Sequence, residues 1–150
     1  MKLRKIILAT NNQHKISELA SILEGSGVTI LTKADLPDFP EIEETAATLE
    51  GNALEKSRAI FQKYGIPAVA DDTGLEVDRL GGEPGVYSAR YAGEGCTFAD
   101  NYRKLLKELS GVTVAERGAR FITVIAVSYS GGEICFEGEV LGTIATEPRG

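Results

Sequence analysis

The chain is 150 residues long, 43% hydrophobic and 25% charged, which fits one soluble globular domain with room for a substantial core. Acidic residues outnumber basic ones by 22 to 16, giving a net charge of −6. That balance argues against a non-specific nucleic-acid binder and requires any phosphorylated ligand to be met by local donors or a metal.

The opening Met1-Lys-Leu-Arg-Lys-Ile-Ile-Leu-Ala is basic and then apolar. Its apolar run, Ile6 to Ala9, is too short for a signal peptide or a membrane span, so it reads as a first strand buried on both faces. Thr10-Asn11-Asn12-Gln13-His14-Lys15 follows, and then Ile16, Leu19, Ala20 and Leu23 recur at helical spacing up to Gly25 and Gly27. The polar hexad is therefore a strand-to-helix turn. Such a turn aims backbone N–H groups and the positive end of the helix dipole at whatever sits there, which suits phosphate. The plainer reading makes Asn11 or Asn12 a helix cap and Lys15 a first-turn lysine.

Val28 to Leu31 reads as a second strand. The acidic cluster Glu41-Ile-Glu-Glu-Thr45 precedes an amphipathic helix over Leu49 to Tyr64, whose Leu49, Ala53, Leu54, Ile60, Phe61 and Tyr64 share a stripe. Those acids either serve the helix N-terminus or supply a carboxylate to a magnesium site.

The chain is organised around the stretch from Val69 to Gly93, which opens with Val69-Ala-Asp-Asp-Thr-Gly-Leu-Glu-Val-Asp78. A buried strand over Ile66 to Ala70 is expected to end in Asp71 and Asp72, with Thr73-Gly74 turning the chain. Two adjacent acids at the exit of a buried strand need compensation, for which a hard divalent cation is suited; the alternative is a solvated turn. Leu75 to Leu80 alternates like a hairpin partner, with Leu75 and Val77 facing inward. Arg90 either contacts phosphate or anchors the Tyr87–Tyr91 segment. Thr97 and Asp100 form a capping-box variant ahead of a helix expected to bury Phe98, Tyr102, Leu105, Leu106 and Leu109. Ala119 to Tyr129 is a long strand, Ser130-Gly-Gly132 a hairpin loop, and Glu133 to Ile144 the returning strand. Cys96 and Cys135 match no metal or redox spacing and suit a reducing cytoplasm as free thiols. The order of elements predicts a single mixed α/β domain.

Taken together, Leu8-Ala-Thr-Asn-Asn-Gln-His-Lys15, Glu43-Glu-Thr45, Asn52-Ala53, Ala70-Asp-Asp-Thr-Gly-Leu-Glu-Val77, Gly82-Glu-Pro-Gly-Val-Tyr-Ser-Ala-Arg-Tyr-Ala-Gly93, Ala119-Arg-Phe121 and Glu147-Pro-Arg-Gly150 resemble the Ham1 family of non-canonical purine nucleoside triphosphate (inosine triphosphate) pyrophosphatases. The resemblance runs in one order over nearly the whole chain. It implies an elongated mixed sheet flanked by helices, of the Maf/Ham1 type, and cleavage of ITP, dITP or XTP between the α and β phosphates with magnesium. By motif position it assigns Thr10, Asn11, Asn12, Gln13, His14 and Lys15 to the phosphates and Thr73 to a neighbouring substrate contact. Asp72 becomes general base and metal ligand, and Glu43 the second metal carboxylate. It also implies a cytoplasmic homodimer with no nucleic-acid or membrane partner. Similar proteins continue beyond Glu-Pro-Arg-Gly into a Gly-Phe-Gly-Tyr-Asp-Pro segment and a helix with a lysine and a Ser-His-Arg motif, which are credited with gripping base and triphosphate. His14, the one histidine, cannot replace that motif. The resemblance therefore implies an incomplete C-terminal portion, with weak or no activity in the 150-residue form, and a non-catalytic nucleotide-binding or oligomerisation module as the alternative.

Overall fold

A computed structural model describes residues 4–149, so Met1 to Leu3 of the basic lead and the closing Gly150 lie outside the described residues. The elements are β1 (Lys5–Leu8), α1 (Gln13–Leu23), β2 (Thr29–Leu31), α2 (Leu49–Tyr64), β3 (Ala68–Val77), β4 (Pro84–Gly85), α3 (Phe98–Glu108), β5 (Gly118–Tyr129) and β6 (Gly132–Thr143). The strands form a mixed sheet in the order β2-β1-β3-β5-β6, with β4 paired to β3. The first strand is parallel to both neighbours, with Ile7 opposite Leu31 on one side and Ala68 on the other.

The described chain divides into two compact units. The first holds the chain up to Asp72 together with Val124–Phe136; the second holds Thr73–Thr123 and the chain from Glu137 on.

In the first unit, Ile6, Ile7 and Leu8 are buried, as a strand covered on both faces requires. One cluster joins Ile7, Ala9, Ala68 and Ala70 to Ile60 of α2; a second joins Ala53 of α2 to Val124 and Ala126 of β5. The stripe read from the sequence thus covers the sheet. The ends of α2 are fixed by Thr48, whose hydroxyl accepts from the Gly51 N–H, and by Gly65 in the left-handed conformation. Thr48 is the side-chain cap, so the acids at residues 41–44 are not the caps of α2. Ser57 and Ser128, both buried, share a 2.8 Å hydrogen bond, and the Ser57 hydroxyl also donates to the Leu54 carbonyl.

The main departure from the sequence reading lies in β3. Asp71-Asp72-Thr73-Gly74 does not turn; it is the middle of one ten-residue strand. Leu75–Val77 is therefore the end of that strand rather than a hairpin partner, and the antiparallel partner is the short β4, with Leu75 opposite Gly85. Residue composition favoured a turn, but an extended backbone is open to all four residues once the carboxylates are compensated in space.

In the second unit, Val77, Leu105, Leu109 and Ala119 make the core. The expected capping box is present: the Thr97 hydroxyl accepts from the Asp100 N–H, and the Asp100 carboxylate accepts from the Thr97 N–H and hydroxyl. Those hydrogen bonds hold the Asp100 carboxyl below the usual carboxylate range. A depressed folded-state pKa means the added stability is complete above the ordinary carboxylate pKa and is lost as pH falls through the lower folded value. Thermal melts should accordingly show wild type and Asp100→Asn converging in acid and separating towards neutrality.

Phe98, expected inside, is 84% exposed, because the first residue of α3 precedes the turn that meets the core. Its ring meets Tyr102 edge-on at 5.9 Å. The Arg90 guanidinium lies over the Tyr87 ring at 5.2 Å, the anchoring role. At the end of α3, Arg117 is buried and its guanidinium donates to three carbonyls, those of Leu109 (2.8 Å), Val112 (3.0 Å) and Ala145 (3.3 Å). Of these, the Leu109 carbonyl belongs to the C-cap of α3, where a cation is favoured. The return strand β6 exposes Ile134, Phe136, Val140 and Leu141, so its alternation does not sort into a buried and a wet face.

Candidate functional site

In the first unit the polar turn leaves β1 and enters α1. Asn12 is the cap: its Oδ1 accepts from the N–H groups of His14 (3.0 Å) and Lys15 (3.3 Å), while its own N–H donates to Thr10 Oγ1 (3.1 Å). The capping reading is therefore correct, and it alters the phosphate reading. Backbone donors that a bare helix end would offer are already engaged by Asn12, so an anion here meets mainly side chains. Asn11, Asn12, Gln13 and His14 are exposed, Thr10 and Lys15 half-buried.

Lys15 does not project freely; its ammonium forms an ion pair with Asp71 Oδ2. This joins the turn to β3. Asp71 and Asp72 are both buried, at 7% and 8% exposure. Adjacent side chains on a strand point to opposite faces, and the two acids indeed take different partners. Asp72 Oδ2 accepts from the Nδ2 of Asn52 at 3.1 Å. The carbonyl of Asp71 accepts from Lys56 Nζ at 2.5 Å, and the same ammonium reaches Glu44 Oε1 at 2.8 Å.

So α2 contributes two residues that sequence reading left without a role. Asn52 and Lys56 lie four apart on the helix, and both sit among its buried or half-buried positions. The signal was available: an amide and an ammonium intruding on an apolar stripe need partners in the interior. Of the acidic cluster, Glu44 is drawn in by Lys56, whereas Glu43 is exposed. Among the described residues no three His, Cys, Asp or Glu side chains gather as a metal cage.

The segment before α2 is held against it. Ala46 donates its N–H to Asn52 Oδ1 at 2.9 Å, and Thr45 donates its N–H and hydroxyl to Glu55. Gly51 leaves the space for this. A Cβ added at Gly51 would stand 2.5 Å from the Ala46 Cβ and 3.0 Å from Thr48 Oγ1. Gly51→Ala should gain up to about 1 kcal/mol in helix propensity and lose about 1–3 kcal/mol to overpacking. Urea denaturation should therefore find the variant less stable, despite alanine being the better helix former.

Thr73 belongs to the second unit, where its hydroxyl shares a 2.8 Å hydrogen bond with Thr123. It lines a cavity of about 430 Å³ whose other walls include Leu75, Tyr91, Phe98, Tyr102 and Phe121. Burial, with Glu108 and Glu83 nearby, pushes the Tyr91 phenol up from its ordinary pKa.

Comparison with known proteins gives one answer. A Ham1 family model matches residues 6–150. The dITP/XTP pyrophosphatase of Geobacter sulfurreducens is 48% identical over 147 residues, covering 97% of this chain and 74% of the relative. That of Porphyromonas gingivalis is 50% identical over 148 residues, covering 99% and 75%. Among solved structures, a HAM1 protein from Coxiella burnetii matches with a TM-score of 0.89 at 35% identity, covering 99% of this chain and 76% of that one. The Staphylococcus aureus Ham1 protein matches with a TM-score of 0.86 at 39% identity, covering 97% and 74%.

Proposed function

The chain belongs to the Ham1 family, and from that premise we propose that it hydrolyses non-canonical purine nucleoside triphosphates such as dITP and XTP to the monophosphate and pyrophosphate. Two things support this reading. Relatives at about half identity carry the name dITP/XTP pyrophosphatase. The observation that carries it in this chain is the buried Asp71–Asp72 pair on β3, reached by Lys15 from the polar turn and by Asn52 and Lys56 from α2.

The proposed chemistry uses that arrangement. A water oxygen forms a bond to the α-phosphorus and the bond from that phosphorus to the bridging oxygen breaks, so pyrophosphate leaves with the bridging oxygen. Asp72 takes the proton of the attacking water, since a positioned carboxylate is a competent base. Side chains of Thr10, Asn11, Asn12, Gln13 and His14 supply polar contacts to the polyphosphate, with Lys15 as the cation; Thr73 is the substrate contact on the following residue of β3. Lys15 and Lys56 bring positive charge to an otherwise acidic molecule, which the substrate requires.

A divalent cation is part of the proposal, on the chemistry of the two carboxylates. Asp72 and Glu43 offer oxygen ligands, and magnesium characteristically takes one or two carboxylates and leaves its other positions to phosphate oxygens and water. Bound there, the ion would offset charge on the polyphosphate and polarise the reacting phosphoryl group. A homodimer working in the cytoplasm completes the proposal, supported by the family resemblance and the two free thiols, Cys96 and Cys135. No described helix is long and apolar enough to cross a membrane, and the net charge of −6 speaks against a nucleic-acid partner.

The test is to supply XTP, dITP, ATP and GTP with magnesium and to quantify pyrophosphate and orthophosphate separately. Pyrophosphate release from XTP and dITP well above that from ATP and GTP is expected. Orthophosphate as the product, or equal turnover of all four, would overturn the proposal; nucleotide binding without turnover would point to the non-catalytic module.

A further inference from the structure

We propose that Asn52 is a positioning residue that fixes the Asp72 carboxylate and locks it to the segment carrying Glu43 and Glu44. Asn52 is fully buried on α2, as are Ala53, Ser57 and Ile60 of the same helix. An amide at such a position is costly unless both of its ends are paired. Both are. The Ala46 N–H donates to Oδ1 at 2.9 Å, and Nδ2 donates to Asp72 Oδ2 at 3.1 Å.

Donor and acceptor rules fix which way the amide faces. A backbone N–H can only donate, so the oxygen of Asn52 must face Ala46 and the NH2 must face Asp72. One planar group therefore holds two things at a set distance: the strand residue read as the base, and the irregular segment just after the two glutamates. Its support is rigid, because α2 is capped by Thr48 and Gly65 and packed on the sheet through Ala53 and Ile60. Holding the segment needs nothing more than an acceptor at position 52, which aspartate also offers. The donor end has a use at Asp72, and that is what distinguishes a positioning role from loop anchoring.

The inference rests on the proposed assignment of Asp72 as the base, so the experiment separates the two. Asn52→Asp keeps the acceptor for Ala46 and replaces the donor with a second carboxylate; Asn52→Ala removes both. With XTP and magnesium, at a temperature where circular dichroism shows each variant folded, both should lose about tenfold or more in kcat while KM changes by less than about twofold, as expected when a group orienting the reacting residue is lost. A kcat within twofold of wild type in Asn52→Asp overturns the proposal, as does a loss carried by KM alone. The second arm needs neither metal nor nucleotide. In the 15N spectrum of the unliganded chain, one side-chain amide proton of Asn52 should be protected from exchange and should lose that protection in Asp72→Ala, while the Ala46 amide keeps its own. An Asn52 signal indifferent to Asp72→Ala also overturns the proposal. Absence of pyrophosphate release from the wild type fails the functional assignment instead, and the spectrum then decides the tether alone.

Discussion

Replacing Asp72 with asparagine is expected to lower kcat for pyrophosphate release from XTP by about 10²–10⁴-fold, the range for removing a general base, and to leave the fold intact. The two halves of that expectation have separate causes. The carboxylate is the group that accepts a proton from water, and an amide oxygen is far too weak a base to replace it. Folding is spared because asparagine has the same shape and its side-chain oxygen can still accept from Asn52 Nδ2, the 3.1 Å contact made by the carboxylate. Steady-state assays beside thermal melts check both. A variant retaining more than about a tenth of wild-type kcat would remove Asp72 from the base role.

The largest stability effect is expected at Arg117. Its guanidinium satisfies the carbonyls of Leu109, Val112 and Ala145 from a buried position. Arg117→Met keeps much of the apolar stem and removes every donor. A buried acceptor left unsatisfied costs about 1–3 kcal/mol; the Leu109 carbonyl keeps the Val112 N–H as a donor and Ala145 is exposed, so a total near 3 kcal/mol, rather than three full penalties, is expected. For a chain of this size that lowers Tm by about 6–12 °C. Arg117→Lys should recover little, since one ammonium cannot reach three carbonyls spread along a planar fork. Differential scanning calorimetry on the three proteins gives the answer, and a loss below about 1 kcal/mol would mean the carbonyls find other donors.

The fold was legible where one segment decides its own structure. The spacing of Leu49, Ala53 and Ile60 marked α2 at its observed limits, Leu49–Tyr64, and Thr97 with Asp100 marked the start of α3. It failed where a distant residue decides. Asp71-Asp72-Thr73-Gly74 has the composition of a turn, and nothing within the segment says that Lys15, Asn52 and Lys56 will meet it. Once they do, the strand continues. The same gap explains the site. The turn at residues 10–15 and the acids of β3 stood out as clusters along the chain, whereas Asn52 and Lys56 are single polar residues beside the apolar stripe of an amphipathic helix, where polar residues are ordinary. The exposure of Phe98 was missed for a smaller reason: helical periodicity names a face, not the turn at which that face first meets its neighbour.

The Ser57–Ser128 hydrogen bond imposes a direction on sequence drift. Ser57 has a second outlet for its proton, the Leu54 carbonyl at 3.2 Å, so losing the hydroxyl at position 128 leaves its partner still satisfied as a donor. Losing the hydroxyl at 57 first strands a donor in the interior at 128. A lineage can reach the all-apolar pair by changing the strand residue and then the helix residue; the opposite order passes through a weaker ancestor.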